Sequence, residues 1–135
     1  MSKVYIVAAK RTAIGKFLGT IGTVKAAQLA TTVIKNILEE TKVNPAEIDE
    51  VIVGNILMAG QGQGIARQAS INAGIPAEVP AYGVNMICGS GMKSIINAVN
   101  SIKAGNANLI LAGGTESMSD SGFVVPAAVR NGQKM

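Results

Sequence analysis

The sequence predicts an α/β fold, a largely parallel mixed sheet covered by helices in the order βαβαβαβ. Short runs rich in Val and Ile alternate with segments of helical spacing, and glycine-rich turns follow the ends of the runs. The core must also be built almost without aromatics, which make up 3% of the 135 residues with Trp absent, against 48% hydrophobic residues. Val, Ile, Leu, Ala and Met therefore fill it. The 16 glycines fall in short clusters, which suits tight turns and close backbone approaches rather than a flexible linker.

Residues 4–9 (Val-Tyr-Ile-Val-Ala-Ala) read as a first buried strand, followed by a loop punctuated by Gly15, Gly19 and Gly22. A helix follows over about 25–40, with Leu29, Val33, Ile37 and Leu38 on one apolar face. Asn44 and Pro45 read as the cap and first position of a short helical turn. Residues 51–56 form the second strand, and 65–73 a helix stopped by Gly74 with Pro76 beyond. Residues 81–87 form the third strand and Gly89-Ser90-Gly91 a turn. The helix over 92–104 carries Met92, Ile95, Ile96 and Val99 on one side and ends at Gly105. Residues 109–112 form the fourth strand, broken by Gly113-Gly114 before a polar stretch over 115–121. Three strand ends thus carry glycine-rich or polar turns, and ligands of parallel sheets gather at such ends.

Several function classes are excluded. Net charge is +4, from 12 basic and 8 acidic residues, but the basic residues are scattered. Nucleic acid would want a clustered stripe with stacking aromatics. No run approaches the ~18 apolar residues of a membrane span. Residues 4–9 end at Lys10-Arg11, too soon for a signal segment, so the expected compartment is the cytoplasm. Histidine is absent and there is one cysteine, so no zinc site and no Cys–His pair can be made within these residues. Neither Gly60-Gln-Gly62-Gln-Gly64 nor Gly89-Ser-Gly91 has the G-x-G-x-x-G spacing of a dinucleotide site. No metal and no permanently bound cofactor is expected.

Cys88 is the informative residue. Free cysteine is usually a small buried hydrophobe, but this one sits where a strand turns into a helix, followed by Gly89 and Gly91. A helix N-terminus presents unpaired N–H groups and partial positive charge, which favour a thiolate. The glycines let a substrate approach closely, and the Cys88 backbone N–H could point at an oxyanion formed on attack. This is the logic of a nucleophile elbow with sulfur in place of oxygen. No base accompanies it. Arg11 and Arg67 suit holding a partner or a loop. A carboxylate such as Glu116 or Asp120 near a strand end is uninformative alone. Met86, Met92 and Met118 suit either an acyl pocket or core packing.

The segment Val84-Asn85, Cys88-Gly89-Ser90-Gly91-Met92-Lys93-Ser94 resembles the nucleophile segment of thiolases. Arg11-Thr12-Ala13-Ile14-Gly15-Lys16-Phe17, Val53-Gly54-Asn55, Gly60-Gln-Gly62-Gln63 with Ala66-Arg67-Gln68-Ala69, and the run from Leu111 to Ser119 match that family in order and spacing. The nearest branch is acetyl-CoA acetyltransferase; Leu18 departs from it, standing where glycine is common. The resemblance implies a thiolase-like N-terminal domain over 1–118 and the first stretch of a loop domain, cut short, over 119–135. It implies Cys88 as the acyl-thioester nucleophile, with acetyl-CoA and acetoacetyl-CoA as substrates of a condensation or its thiolytic reverse. A longer-chain 3-ketoacyl-CoA thiolase and a non-catalytic dimerising half stand as alternatives. It also implies a homodimer or homotetramer, with residues 81–85 at the dimer contact. The family's histidine, second cysteine and asparagine-held water belong to a C-terminal half, so these 135 residues alone are expected to be inactive.

Overall fold

The computed structural model describes residues 3–133; positions 1, 2, 134 and 135, the outer ends of the two expected domains, lie outside the described residues. In chain order the elements are α1 (Ala26–Thr41), β1 (Glu50–Gly54), α2 (Ile65–Asn72), β2 (Ala81–Val84), α3 (Ser90–Lys103) and β3 (Ile110–Gly114). Short 3-10 turns lie at Pro45–Glu47, Met118–Asp120 and Ala127–Asn131. The α/β class stands. The strands form one parallel sheet in the order β2-β1-β3, with Val51 beside both Ala81 and Leu111.

Strand alternation divides the layers. Val51 and Val53 point to the face covered by α1 and α2, in a cluster with Ala30, Ile34, Ala66, Ala69, Ala73 and Ile75. Ile52 and Gly54 face α3. The buried surfaces of α1 and α2 are alanine stripes, Ala26-Ala27-Ala30 on one and Ala66-Ala69 on the other. Two such stripes let helix backbones approach closely, so a core this poor in aromatics still fills. Of the expected inner face of α1, Leu38 packs partly buried against this cluster, while Leu29, Val33 and Ile37 are only half-buried and flank the alanines.

Helix ends follow the punctuation. Gly74 and Gly105 take φ of +90° and +79° just past α2 and α3. The following N–H groups, of Ile75 and Asn106, reach back to the carbonyls of Ser70 and Ser101. Both ends are Schellman caps, which need a left-handed residue that glycine supplies without strain. Asn44 caps its turn through the Ala46 N–H at 3.1 Å.

Three expectations require correction. Residues 4–9 are no strand: they make no backbone ladder among the described residues, and Tyr5, Ile6 and Val7 are 73%, 81% and 73% exposed. Apolar β-branched residues form a strand only beside a free edge, and none of the described strands runs alongside them. Lys10 nevertheless pairs with Glu40 at the end of α1. Gly113-Gly114 does not break the last strand but continues it, pairing with Val53 and Gly54. Finally, α3 buries Ser90, Ser94 and Ala98 and leaves Met92 (65% exposed), Ile95 and Ile96 outward. Small residues on the inner face let the helix sit close against the sheet.

Leu18 takes a positive φ of 54°, which accounts for a glycine being common at that position; its N–H donates to Ser119 Oγ at 2.8 Å. The entries of β1 and β3 are pinned together by Asp49, whose carboxylate accepts from the Asn108 and Leu109 N–H groups at 2.7 and 3.0 Å. Those two backbone bonds hold its pKa below the ordinary 3.8. A depressed carboxylate contributes stability that is present above its unfolded pKa and lost as pH falls through the lower folded value. Asp49→Asn is therefore expected to lower stability at neutral pH and to flatten the acid limb of a urea-unfolding series taken as a function of pH. An unchanged limb would remove Asp49 from this role.

Candidate active site

Cys88 lies in the connection between β2 and α3, and its side chain is exposed. It lines an open cleft of about 300 Å³ with Ile56, Ile87, Ser90 and Gly114 at the carboxyl ends of the strands. Gly89 is the residue before α3, and no side chain caps the helix there. No side chain caps the first turn of α3, whose Ser90 and Gly91 line the same cleft as Cys88, and no group among the described residues accepts from the Cys88 N–H. Such a position favours negative charge on sulfur and on an oxygen bound next to it.

Three glycines place the helix there. A Cβ on Gly54 would stand 2.3 Å from the Ser90 carbonyl carbon and 2.5 Å from the Gly91 nitrogen. A Cβ on Gly114 would stand 3.0 Å from Gly91 Cα. The ends of β1 and β3 therefore touch the backbone of the first turn of α3 directly. Ser94, fully buried one turn on, shares its hydroxyl proton between the Gly91 and Gly113 carbonyls, each 2.7 Å away.

Glu116 forms the opposite wall. Its carboxylate accepts from Asn55 Nδ2 at 2.8 Å, from the Ile56 N–H at 2.9 Å and from the Leu57 N–H at 3.2 Å. It closes the loop after β1 onto the loop after β3. Asn55 Nδ2 also donates to the Thr115 carbonyl at 3.0 Å, which fixes the amide and leaves the buried Oδ1 without a donor among the described residues. Thr115 and Ser117 donate to the Ala26 and Val24 carbonyls, each at 2.7 Å, anchoring the start of α1 behind the site.

Of the residues singled out from sequence, Cys88 and Glu116 come together in the cleft. Asp120 lies apart from it and takes Gln61 Nε2 through its own carbonyl and carboxylate. Arg67 holds a loop, donating to the Ala77 and Val79 carbonyls. Among the described residues Arg11 reaches only the Thr12 carbonyl. Met86, Met92 and Met118 are 50%, 65% and 64% exposed and do not line the cleft, so they are not part of the core formed by the described residues. Asn55 and Ser90 were not distinguished from sequence. Their signal is positional: each follows directly on a glycine at a strand or helix end.

The N-terminal domain model of the thiolases matches residues 4–135. The chain belongs to the thiolase family. It is 48% identical over 135 residues to acetyl-CoA acetyltransferase of Cupriavidus necator, covering all of this chain and 34% of that protein. It is 51% identical over 125 residues to a probable acetyl-CoA acyltransferase of Staphylococcus aureus, covering 93% of this chain and 32% of that one. A crystal structure of the Acat5 thiolase of Ascaris suum in complex with coenzyme A matches the fold with a TM-score of 0.84 at 39% identity, over 87% of this chain and 31% of that one. The chain thus spans about a third of the length of these relatives.

The glycine contact gives a direct prediction. Gly54→Ala puts a methyl group into the Ser90–Gly91 backbone, which cannot move aside as a flexible side chain would. It is expected to cost about 1–3 kcal/mol or more in chemical unfolding and to slow alkylation of Cys88 by iodoacetamide. A variant as stable and as reactive as the parent would show that the contact does not hold the site.

Proposed function

We propose that, in the full-length protein, Cys88 is the acyl-accepting nucleophile of an acetyl-CoA acetyltransferase. The observation that carries this reading is the exposed sulfur at the uncapped start of α3, in a cleft at the strand ends. The names of the relatives, and a thiolase neighbour in complex with coenzyme A, support coenzyme A thioesters as the substrates.

In this mechanism the Cys88 thiolate attacks the carbonyl carbon of acetyl-CoA. Negative charge on the tetrahedral oxygen is met by the Cys88 N–H. The C–S bond to coenzyme A breaks, coenzyme A leaves as its thiolate, and the acetyl group remains on Cys88 as a thioester. A second acetyl-CoA, having lost an α-proton to a base, attacks that thioester carbonyl. The new C–C bond gives acetoacetyl-CoA and returns the Cys88 thiolate. Thiolysis is the same path reversed.

The kinship with thiolases implies that a histidine and a second cysteine supply the base, and since these 135 residues contain neither, this reading puts the base elsewhere in the protein. By this reading residues 1–118 are the N-terminal domain and 119–135 the start of a further one. The outward apolar residues of α3 and residues 4–9 are then surfaces on which more of the protein packs. Subunit pairing through residues 81–85 and residence in the cytoplasm belong to the same proposal.

Cys88→Ser tests it. Acyl transfer between coenzyme A thioesters is expected to fall on the order of a thousandfold or more, with the far-UV circular dichroism of the full-length protein unchanged. A Cys88→Ser variant that retains turnover would refute the role of Cys88.

A further inference from the structure

We propose that Ser90 is the positioning residue of the nucleophile: its buried hydroxyl latches a strained left-handed turn at Ile87 and thereby aims Cys88 into the cleft. This rests on the reading of Cys88 as the nucleophile.

Ile87 has a φ of +50°. The other non-glycine residues with positive φ, Leu18 and Lys42, are unbranched at Cβ. A β-branched residue in this region is an outlier, and such strain persists only where its surroundings enforce it. Burial does not enforce it here, because Ile87 is 69% exposed. Hydrogen bonds do. The Ile87 N–H donates to Asn85 Oδ1 at 3.1 Å. The Ile87 carbonyl accepts twice from Ser90, from its N–H at 3.0 Å and from its hydroxyl at 2.6 Å. Ser90 Oγ in turn accepts from the Met86 N–H at 2.9 Å. One hydroxyl therefore uses both its donor and an acceptor site on the two residues that precede Cys88.

The direction of these bonds is unusual for a serine at a helix start. Serine is favoured one position earlier, where its oxygen caps the helix's own N–H groups. Here Gly89 occupies that position and Ser90 reaches backward instead, so that no side chain caps α3 and only the Ser90 N–H of its first turn is taken up, by the Ile87 carbonyl. Its own position is held. Ser90 is 4% exposed, its carbonyl lies against Gly54, and Ser94 ties the next turn to β3. A latch with one end fixed in the core can transmit that fixity to Cys88. Without the hydroxyl, the turn keeps only the bonds from the Ile87 N–H to Asn85 Oδ1 and from the Ser90 N–H to the Ile87 carbonyl, and the strain at Ile87 favours return to an ordinary backbone conformation. That rotation turns the Ile87–Cys88 peptide, and with it both the sulfur and the Cys88 N–H.

The test uses the full-length protein, with two rates measured on each variant. One is alkylation of Cys88 by iodoacetamide, located by peptide mapping, which needs no acyl-CoA. The other is steady-state acyl transfer. Ser90→Ala is expected to lower the alkylation rate and kcat together, by roughly tenfold to a hundredfold, with KM for the acyl-CoA unchanged. Adding Ile87→Asn to Ser90→Ala should recover most of both losses, since asparagine tolerates the left-handed region. Ile87→Asn alone should raise Tm. A folded Ser90→Ala protein with parental alkylation and kcat would overturn the proposal, as would a loss that Ile87→Asn does not recover. Where Ser90→Ala fails to fold, Ser90→Cys, close in size but a weak hydrogen-bond donor, decides: slowed alkylation of Cys88 and lowered kcat support the latch, and parental values overturn it. Slowed alkylation in a protein without acyl transfer would uphold the latch while refuting the acetyltransferase reading.

Discussion

Where β1, β3 and α3 converge, the backbones of Gly54, Gly91 and Gly114 lie in contact, and a single added methyl group at Gly54 would reach within 2.3 Å of a carbonyl carbon. Everything near Cys88 depends on that contact. It sets how close the helix comes to the sheet, and hence where the first turn of α3 lies relative to the strand ends. It also dictates the inner face of α3, since only small residues such as Ser90, Ser94 and Ala98 fit at that separation. The larger apolar residues of the helix, Met92, Ile95 and Ile96, are turned outward in consequence.

The polar residues around the contact work as fasteners. The run from Thr115 to Ser119 sends a hydroxyl to the carbonyl of Ala26, another to that of Val24, a carboxylate to the Ile56 and Leu57 N–H groups, and an acceptor to Leu18. Three separate parts of the chain, the start of α1, the loop after β1 and the turn at Leu18, are thereby held around the end of β3. A cleft assembled from loops needs such ties, because loops have no ladder of their own to satisfy their backbone groups. Within it, the exposed cysteine is the group with nucleophilic chemistry, and the surrounding polar groups serve to place it.

Much of this was legible in the residues. The sheet strands at 50–54, 81–84 and 110–114 and all three helices follow the Val/Ile runs, the helical spacing and the glycine stops. A turn at Cys88 was expected between a strand over 81–87 and a helix from 92, but the strand ends at Val84 and the helix begins at Ser90, because Ile87 takes a left-handed φ of 50° that no strand can hold. Residues 4–9 were misread because apolar alternation reports a preference for a sheet, whereas pairing needs a neighbouring edge that the local sequence cannot supply. The inner faces of α1 and α3 were misread for a related reason. Periodicity weighs large apolar residues most, yet close packing here is achieved by alanine and serine. Glu116, Asn55 and Ser90 act through contacts 60 or 61 residues away or through a backbone turn whose φ the sequence does not display.

The central claim, that Cys88 carries the acyl group, is tested most directly by intact mass spectrometry of the full-length protein mixed with acetyl-CoA in the absence of added thiol, followed by peptide mapping. The account predicts one acetyl group per chain, located on Cys88, and its loss when coenzyme A is added back. A protein that stays unmodified, or that carries the acetyl group on another residue, would contradict it.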